Sequence, residues 1–81
     1  MSVTNVSSSA WTPITTTTVE TVFQNRSPNP MYITTESTSG LPFNEGFYLN
    51  PEGGAIVLDA GVTVSAVTFR YDSDIFYMAI Q

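Results

Sequence analysis

Apolar side chains recur along this chain at a spacing of two, in short runs closed by Gly, Pro, Asn, Asp and Ser. No stretch repeats them at the three-to-four spacing of a helix with caps. Period-two patterning places alternate side chains on opposite faces of a pleated strand. The tract from Thr17 runs into Val19-Glu20-Thr21-Val22-Phe23-Gln24 and predicts a strand, with Val19, Thr21 and Phe23 on one face. Asn25-Arg26-Ser27-Pro28-Asn29-Pro30 is dense in turn formers. Pro30 can open the next strand, Met31 to Thr35, and the two strands read as a hairpin with a slightly long loop. Residues 36–46 are polar and punctuated by Gly and Pro, with Leu41 and Phe43 embedded.

Phe47-Tyr48-Leu49 is a short strand. Asn50-Pro51-Glu52-Gly53 then predicts a type I turn, with Pro supplying the fixed φ and Gly taking φ > 0 at the fourth position. Ala55 to Leu58 returns from that turn, which reads as the clearest hairpin signal in the chain. Val62 to Tyr71 is the longest strand candidate. Its apolar phase slips near Ser65-Ala66, which predicts a β-bulge there. Asp72-Ser73-Asp74 is the last turn. The strand from Ile75 to Ile80 is apolar on both faces, so it is central or covered at an interface.

Six or seven strands with turn signals every ~8–12 residues predict an all-β fold, a small antiparallel sandwich or jelly-roll-like barrel. Residues 1–10 are small and polar and read as a flexible N-terminal arm; residues 11–81 read as one β-domain. Phe23, Phe47 and Phe69 are the expected aromatic core.

Composition sharpens this picture. Thr, Val and Ile fill 25 of the 81 positions, and these β-branched side chains suit a pleated, half-buried surface. Cys, His and Lys are absent, which removes the residues that most often act as nucleophile, base or metal ligand near neutral pH. The expectation is a protein without enzymatic activity, cofactor or metal. A small domain without disulfide or zinc often gains stability by associating, so a homo-oligomer is expected. Arg26 and Arg70 stand against seven carboxylates, for a net charge of −5. That balance disfavours nucleic acid and anionic membranes. No run approaches the ~20 apolar residues of a membrane span, and Met1 to Asn5 has neither the basic nor the apolar region of a secretory signal.

Asp72 and Asp74 flank one serine, but a single short turn supplies too few oxygens for calcium, and both residue types favour turns. Gly53-Gly54 lacks the Lys and the helix of a phosphate loop. Trp11 beside the polar arm and Phe43 in the long loop are placed where aromatics anchor interfaces. With Tyr48, Arg70 and Tyr77 they form the candidate partner-binding set.

Three stretches carry a likeness. Trp11-Thr12-Pro13-Ile14 stands near the start. Phe23-Gln24-Asn25-Arg26-Ser27, followed by Pro30-Met31-Tyr32-Ile33, resembles a hydrophobic-Gln-Asn-x-Ser hairpin. Gly46-Phe47-Tyr48-Leu49-Asn50-Pro51-Glu52-Gly53 resembles a Gly-Phe-x-Leu-x-Pro-Gly stretch. Together they resemble short β-sandwich virion structural proteins of tailed bacteriophages. In this chain Glu52 separates the Pro and Gly that are adjacent in that pattern. The resemblance implies a capsid decoration (cement) protein, or the base of a head fibre. It would be made in the host cytoplasm and carried on the capsid surface, with the major capsid protein and copies of itself as partners. The competing reading is a host-surface or glycan-binding module of a head or tail fibre.

Overall fold

A computed structural model describes residues 1–80. Eight strands follow one another: β1 (Ser2–Val6), β2 (Thr12–Thr16), β3 (Thr21–Asn25), β4 (Met31–Thr34), β5 (Phe47–Leu49), β6 (Gly54–Leu58), β7 (Thr63–Thr68) and β8 (Ser73–Ala79). A single 3₁₀ turn at Phe43–Glu45 lies between β4 and β5. The strands form two antiparallel four-stranded sheets, ordered β1-β8-β3-β6 and β2-β7-β4-β5. All successive strands change sheet except β4 and β5. This winding is the eight-stranded jelly roll.

Inward side chains from both sheets meet in one core of Val6, Phe23, Met31, Ile33, Leu49, Val64, Ala66 and Ile75. Phe23 is fully buried and stacks on Tyr77, with ring centroids 5.3 Å apart. Burying an aromatic ring of this size dominates the energetics of so thin a core.

Several expectations are corrected. The fold has eight strands, two of them unforeseen. Residues 2–6 are no loose arm: they form β1, hydrogen-bonded along β8 with Val3 opposite Phe76. The Thr tract is divided, with Thr15 and Thr16 ending β2 and Thr17 turning the chain. The Thr17 hydroxyl donates to the Asp59 carbonyl at 2.7 Å and accepts from the Val62 N–H at 3.1 Å, adding to the backbone bonds from Thr17 N–H to the Val62 carbonyl at 2.9 Å and from Gly61 N–H to the Thr17 carbonyl at 2.7 Å. Finally, the turns at residues 26–30 and 50–53 are not hairpins. Each carries the chain from one sheet to the other.

The 50–53 turn is also not type I, because Glu52 sits at φ 59 and Gly53 at φ 123. That twist aims the Glu52 and Gly53 N–H groups at the Ser27 and Asn25 carbonyls, at 2.8 and 2.7 Å. Asn25 joins the two crossovers further. Its buried Nδ2 donates to the Asn29 carbonyl at 2.7 Å and, more weakly, to the Leu49 and Asn50 carbonyls at 3.3 Å. Its Oδ1 accepts from the Ser27 N–H at 3.0 Å and from the Ser27 hydroxyl at 2.7 Å. One amide therefore links both crossovers at that end of the sandwich, sharing the Asn29 carbonyl with the Ser27 hydroxyl and the Asn50 carbonyl with the Gly54 N–H. Gly54 admits no side chain, since a Cβ there would lie 2.5 Å from backbone atoms of Asn50.

Strand β7 runs straight against β4, and the register shift lies opposite it, between Pro13 and Thr15 of β2. The apparent phase slip in β7 has another cause. Val64, Ala66 and Thr68 point into the core, while Ser65 and Val67 point outward and are buried as well. The strand is covered on both faces.

Candidate functional site

Two sheet faces remain after the core is built, and their chemistry differs. On the outer face of the β2-β7-β4-β5 sheet, alternation brings Tyr32, Tyr48 and Phe69 together. Tyr32 lies edge-on to both, with centroids 5.5 Å from Tyr48 and 5.3 Å from Phe69. Trp11 stands immediately before Thr12, which pairs with Ala66 of β7. The Trp11 indole N–H donates to the Leu41 carbonyl at 2.9 Å, and its ring meets Phe43 edge-on at 5.7 Å. Gly46 makes this close packing feasible, because a Cβ there would stand 2.9 Å from the indole and 3.0 Å from the Ile33 carbonyl. Residues 36–46 are thus pinned over their own sheet by Trp11.

The outer face of the β1-β8-β3-β6 sheet has no such cover among the described residues. Antiparallel register aligns its outward side chains in two rows: Val3, Phe76, Gln24 and Ala55, then Met78, Val22 and Val57. Val3, Val57 and Met78 are each about half exposed, at 49%, 52% and 48%. Arg26 lies over the Phe76 ring, 4.5 Å from its centroid, and its Nε donates to Gln24 Oε1 at 2.7 Å. The guanidinium is held against an aromatic face at the border of the stripe. A groove of ≈ 130 Å³ runs between Met1, Val22, Arg26, Phe76 and Met78. It is well below the ~300 Å³ at which small-molecule pockets begin.

The sequence-selected residues separate accordingly. Trp11 and Phe43 touch, and Tyr48 shares their face, half exposed. Tyr77 points inward onto Phe23 and belongs to the packing of the core. Arg70 stands apart on the β7–β8 turn. It is exposed at φ 70, and the Tyr71 N–H donates across it to the Phe69 carbonyl at 2.8 Å. That i→i+2 closure at positive φ is a strained γ-turn for a residue with a side chain. Of the expected aromatic core, only Phe23 is in it: Phe47 is 59% exposed on edge strand β5, and Phe69 lies on the outer face. The stripe runs from exposed Val3 and Met78 through half-buried Val22 to exposed Val57, so it extends beyond the C-terminal strand onto β1, β3 and β6. Its signal was present in the two-faced apolar character of residues 75–80.

Asp72 and Asp74 act locally. The Ser8 N–H donates to Asp72 Oδ1 at 2.9 Å and the Asn5 amide to Asp74 Oδ1 at 3.2 Å. No group of three or more His, Cys, Asp or Glu converges among the described residues. The fold is a jelly-roll β-domain whose two outer faces differ in chemistry. No family model, curated protein or solved structure matches the chain.

Proposed function

We propose that this protein is a non-enzymatic structural component of a tailed-bacteriophage virion, a decoration protein that binds and stabilises the assembled major capsid shell. The observation that carries the reading is the uncovered apolar stripe on the β1-β8-β3-β6 sheet. Exposed apolar area of this kind, rimmed by Asn5, Asp74 and Arg26, is a signature of a protein-docking face. The jelly roll supports it by analogy, since the winding recurs among capsid proteins. With residues 2–6 committed to β1, the contacts come from the rigid sheet face in place of an ordering arm. A rigid face loses little conformational freedom on docking.

Co-sedimentation with shells of the major capsid protein encoded in the same genome tests this. Met78→Asp places a charge in the middle of the stripe and should lower occupancy about tenfold or more, through the cost of burying an unpaired carboxylate. Wild-type occupancy for a folded Met78→Asp chain would reject the face.

The outer face of the other sheet favours a second reading. Tyr48 is exposed beside Tyr32, and Phe43 is exposed beside Trp11 on the same face, the kind of aromatic surface on which sugar rings stack, and lectins also use this winding. In that case the protein is a glycan-binding module of a head or tail fibre. Reproducible hits on a glycan array, abolished by Tyr48→Ala, would select it over the first.

A further inference from the structure

A sheet edge exposes a row of unpaired N–H and C=O groups, and soluble proteins guard such edges with charge, Pro, bulges or short length. Three of the four edges here are guarded or polar. β2 carries Pro13 and the register shift beside it. β5 is three residues long. β1 has Ser2, Thr4 and Asn5 among its five residues. The fourth edge, β6, reads Gly54-Ala55-Ile56-Val57-Leu58. It has no charge, no Pro, no bulge and no polar side chain, and among the described residues it pairs only with β3.

We infer that β6 is a self-association edge, where β6 of a second copy of this chain pairs antiparallel about a twofold axis through Ile56. The inference does not depend on the capsid reading. The sequence of β6 is complementary to its own reverse. An axis at Ile56 sets Gly54 opposite Leu58 of the second copy, Ala55 opposite its Val57, and Ile56 opposite its Ile56. Small faces large at the ends and apolar faces apolar throughout, with no like charges directly opposed. The two apolar rows end at β6 in Ala55 and Val57, so pairing continues the stripe into that of the second copy as one eight-stranded face. A twofold contact consumes both β6 edges, and the polar β1 edges stop further growth; the product is a closed dimer, with no fibre. Glu52 and Asp59 bracket the strand and confine the pairing to these five residues.

Sedimentation equilibrium of the full chain from about 5 µM to about 1 mM should show a reversible monomer–dimer equilibrium. Val57→Lys puts a charge on the edge at an exposed position, so it should raise the dissociation constant about tenfold or more. Val3→Lys, on the same face but at the opposite edge, should leave it within about twofold. A chain that stays monomeric at about 1 mM, or one weakened equally by both substitutions, overturns the inference.

Cross-linking reads the register even if Val57→Lys fails to fold. The chain has no cysteine of its own among the described residues. Directly opposed residues lie ~4.5–5.5 Å apart, within disulfide reach. Mixing Ala55→Cys with Val57→Cys should therefore give the mixed disulfide dimer in preference to either like pair. Equal yields of like and unlike pairs would refute the Ile56 axis.

Discussion

Asn25→Asp changes one atom of the amide that joins the 26–30 and 50–53 crossovers. The substitution keeps the acceptor that serves the Ser27 N–H and hydroxyl. It removes the donor that serves the Asn29, Leu49 and Asn50 carbonyls, and puts a carboxylate against them where the residue is fully buried. Each lost hydrogen bond costs about 0.5–1.5 kcal/mol net. A buried carboxylate facing carbonyls costs up to about 3–5 kcal/mol, offset in part here by the Ser27 N–H and hydroxyl. A domain of this length holds only about 4–12 kcal/mol in all, so at pH 7 the variant should be close to unfolding.

The deficit should depend on pH. Burial and the facing carbonyls raise the folded-state pKa of the introduced carboxyl above its unfolded value of ~3.9. The charge penalty is therefore absent below ~3.9 and grows as pH rises toward the folded-state value. Near pH 4 the neutral acid can donate to the Asn29 carbonyl, and most of the loss should be recovered. Asn25→Ala removes the same donor without adding charge, so its deficit of about 2–4 kcal/mol should be alike at both pH values. Urea unfolding followed by far-UV circular dichroism at pH 4 and pH 7, with wild type alongside, cancels the titration of the native carboxylates. An Asn25→Asp deficit below about 1 kcal/mol at pH 7, or one as large at pH 4, would refute the role given to this amide.

Three other outcomes are expected. Gly54→Ala forces a Cβ onto the Asn50 backbone, and overpacking of about 1–3 kcal/mol should lower Tm by several degrees or more; an unchanged melt would contradict the close approach. Arg70→Gly relieves the positive φ and should raise Tm by a few degrees, and a fall would show that the Arg70 side chain stabilises the turn more than its strain costs. Trp11→Phe removes the indole donation to Leu41 and should hasten proteolysis within residues 36–46 while the global melt moves little; unaltered cleavage would mean that the loop is held by other contacts.

The sequence made the β class plain because alternation survives wherever one strand face is buried, as in Thr21-Val22-Phe23. It hid β1 for the opposite reason. Of the five residues of that edge strand only Val6 is buried, so no alternating apolar signal marks it. Turn chemistry disclosed where the chain reverses but not which sheet receives the next strand. Asn50-Pro51-Glu52-Gly53 looks the same locally in a hairpin and in a crossover. The alternation suggests a bulge in β7, whereas the register shift lies in β2, because Val67 is buried on the outer face opposite Tyr32 and so mimics a phase change. The uncovered stripe was hardest to see, since Val22, Phe76 and Met78 resemble core residues until the partner strands are known.

The winding also decides when this molecule can form. β1 pairs with β8, and β8 separates β1 from β3, so the sheet containing all three has no middle until β8 has been synthesised. No early hairpin can serve as a stable seed, because β4 and β5 are the only consecutive strands that pair and β5 is three residues long. Folding should thus be a slow and all-or-none event that waits for β8, with the nascent chain an open polymer until that strand emerges.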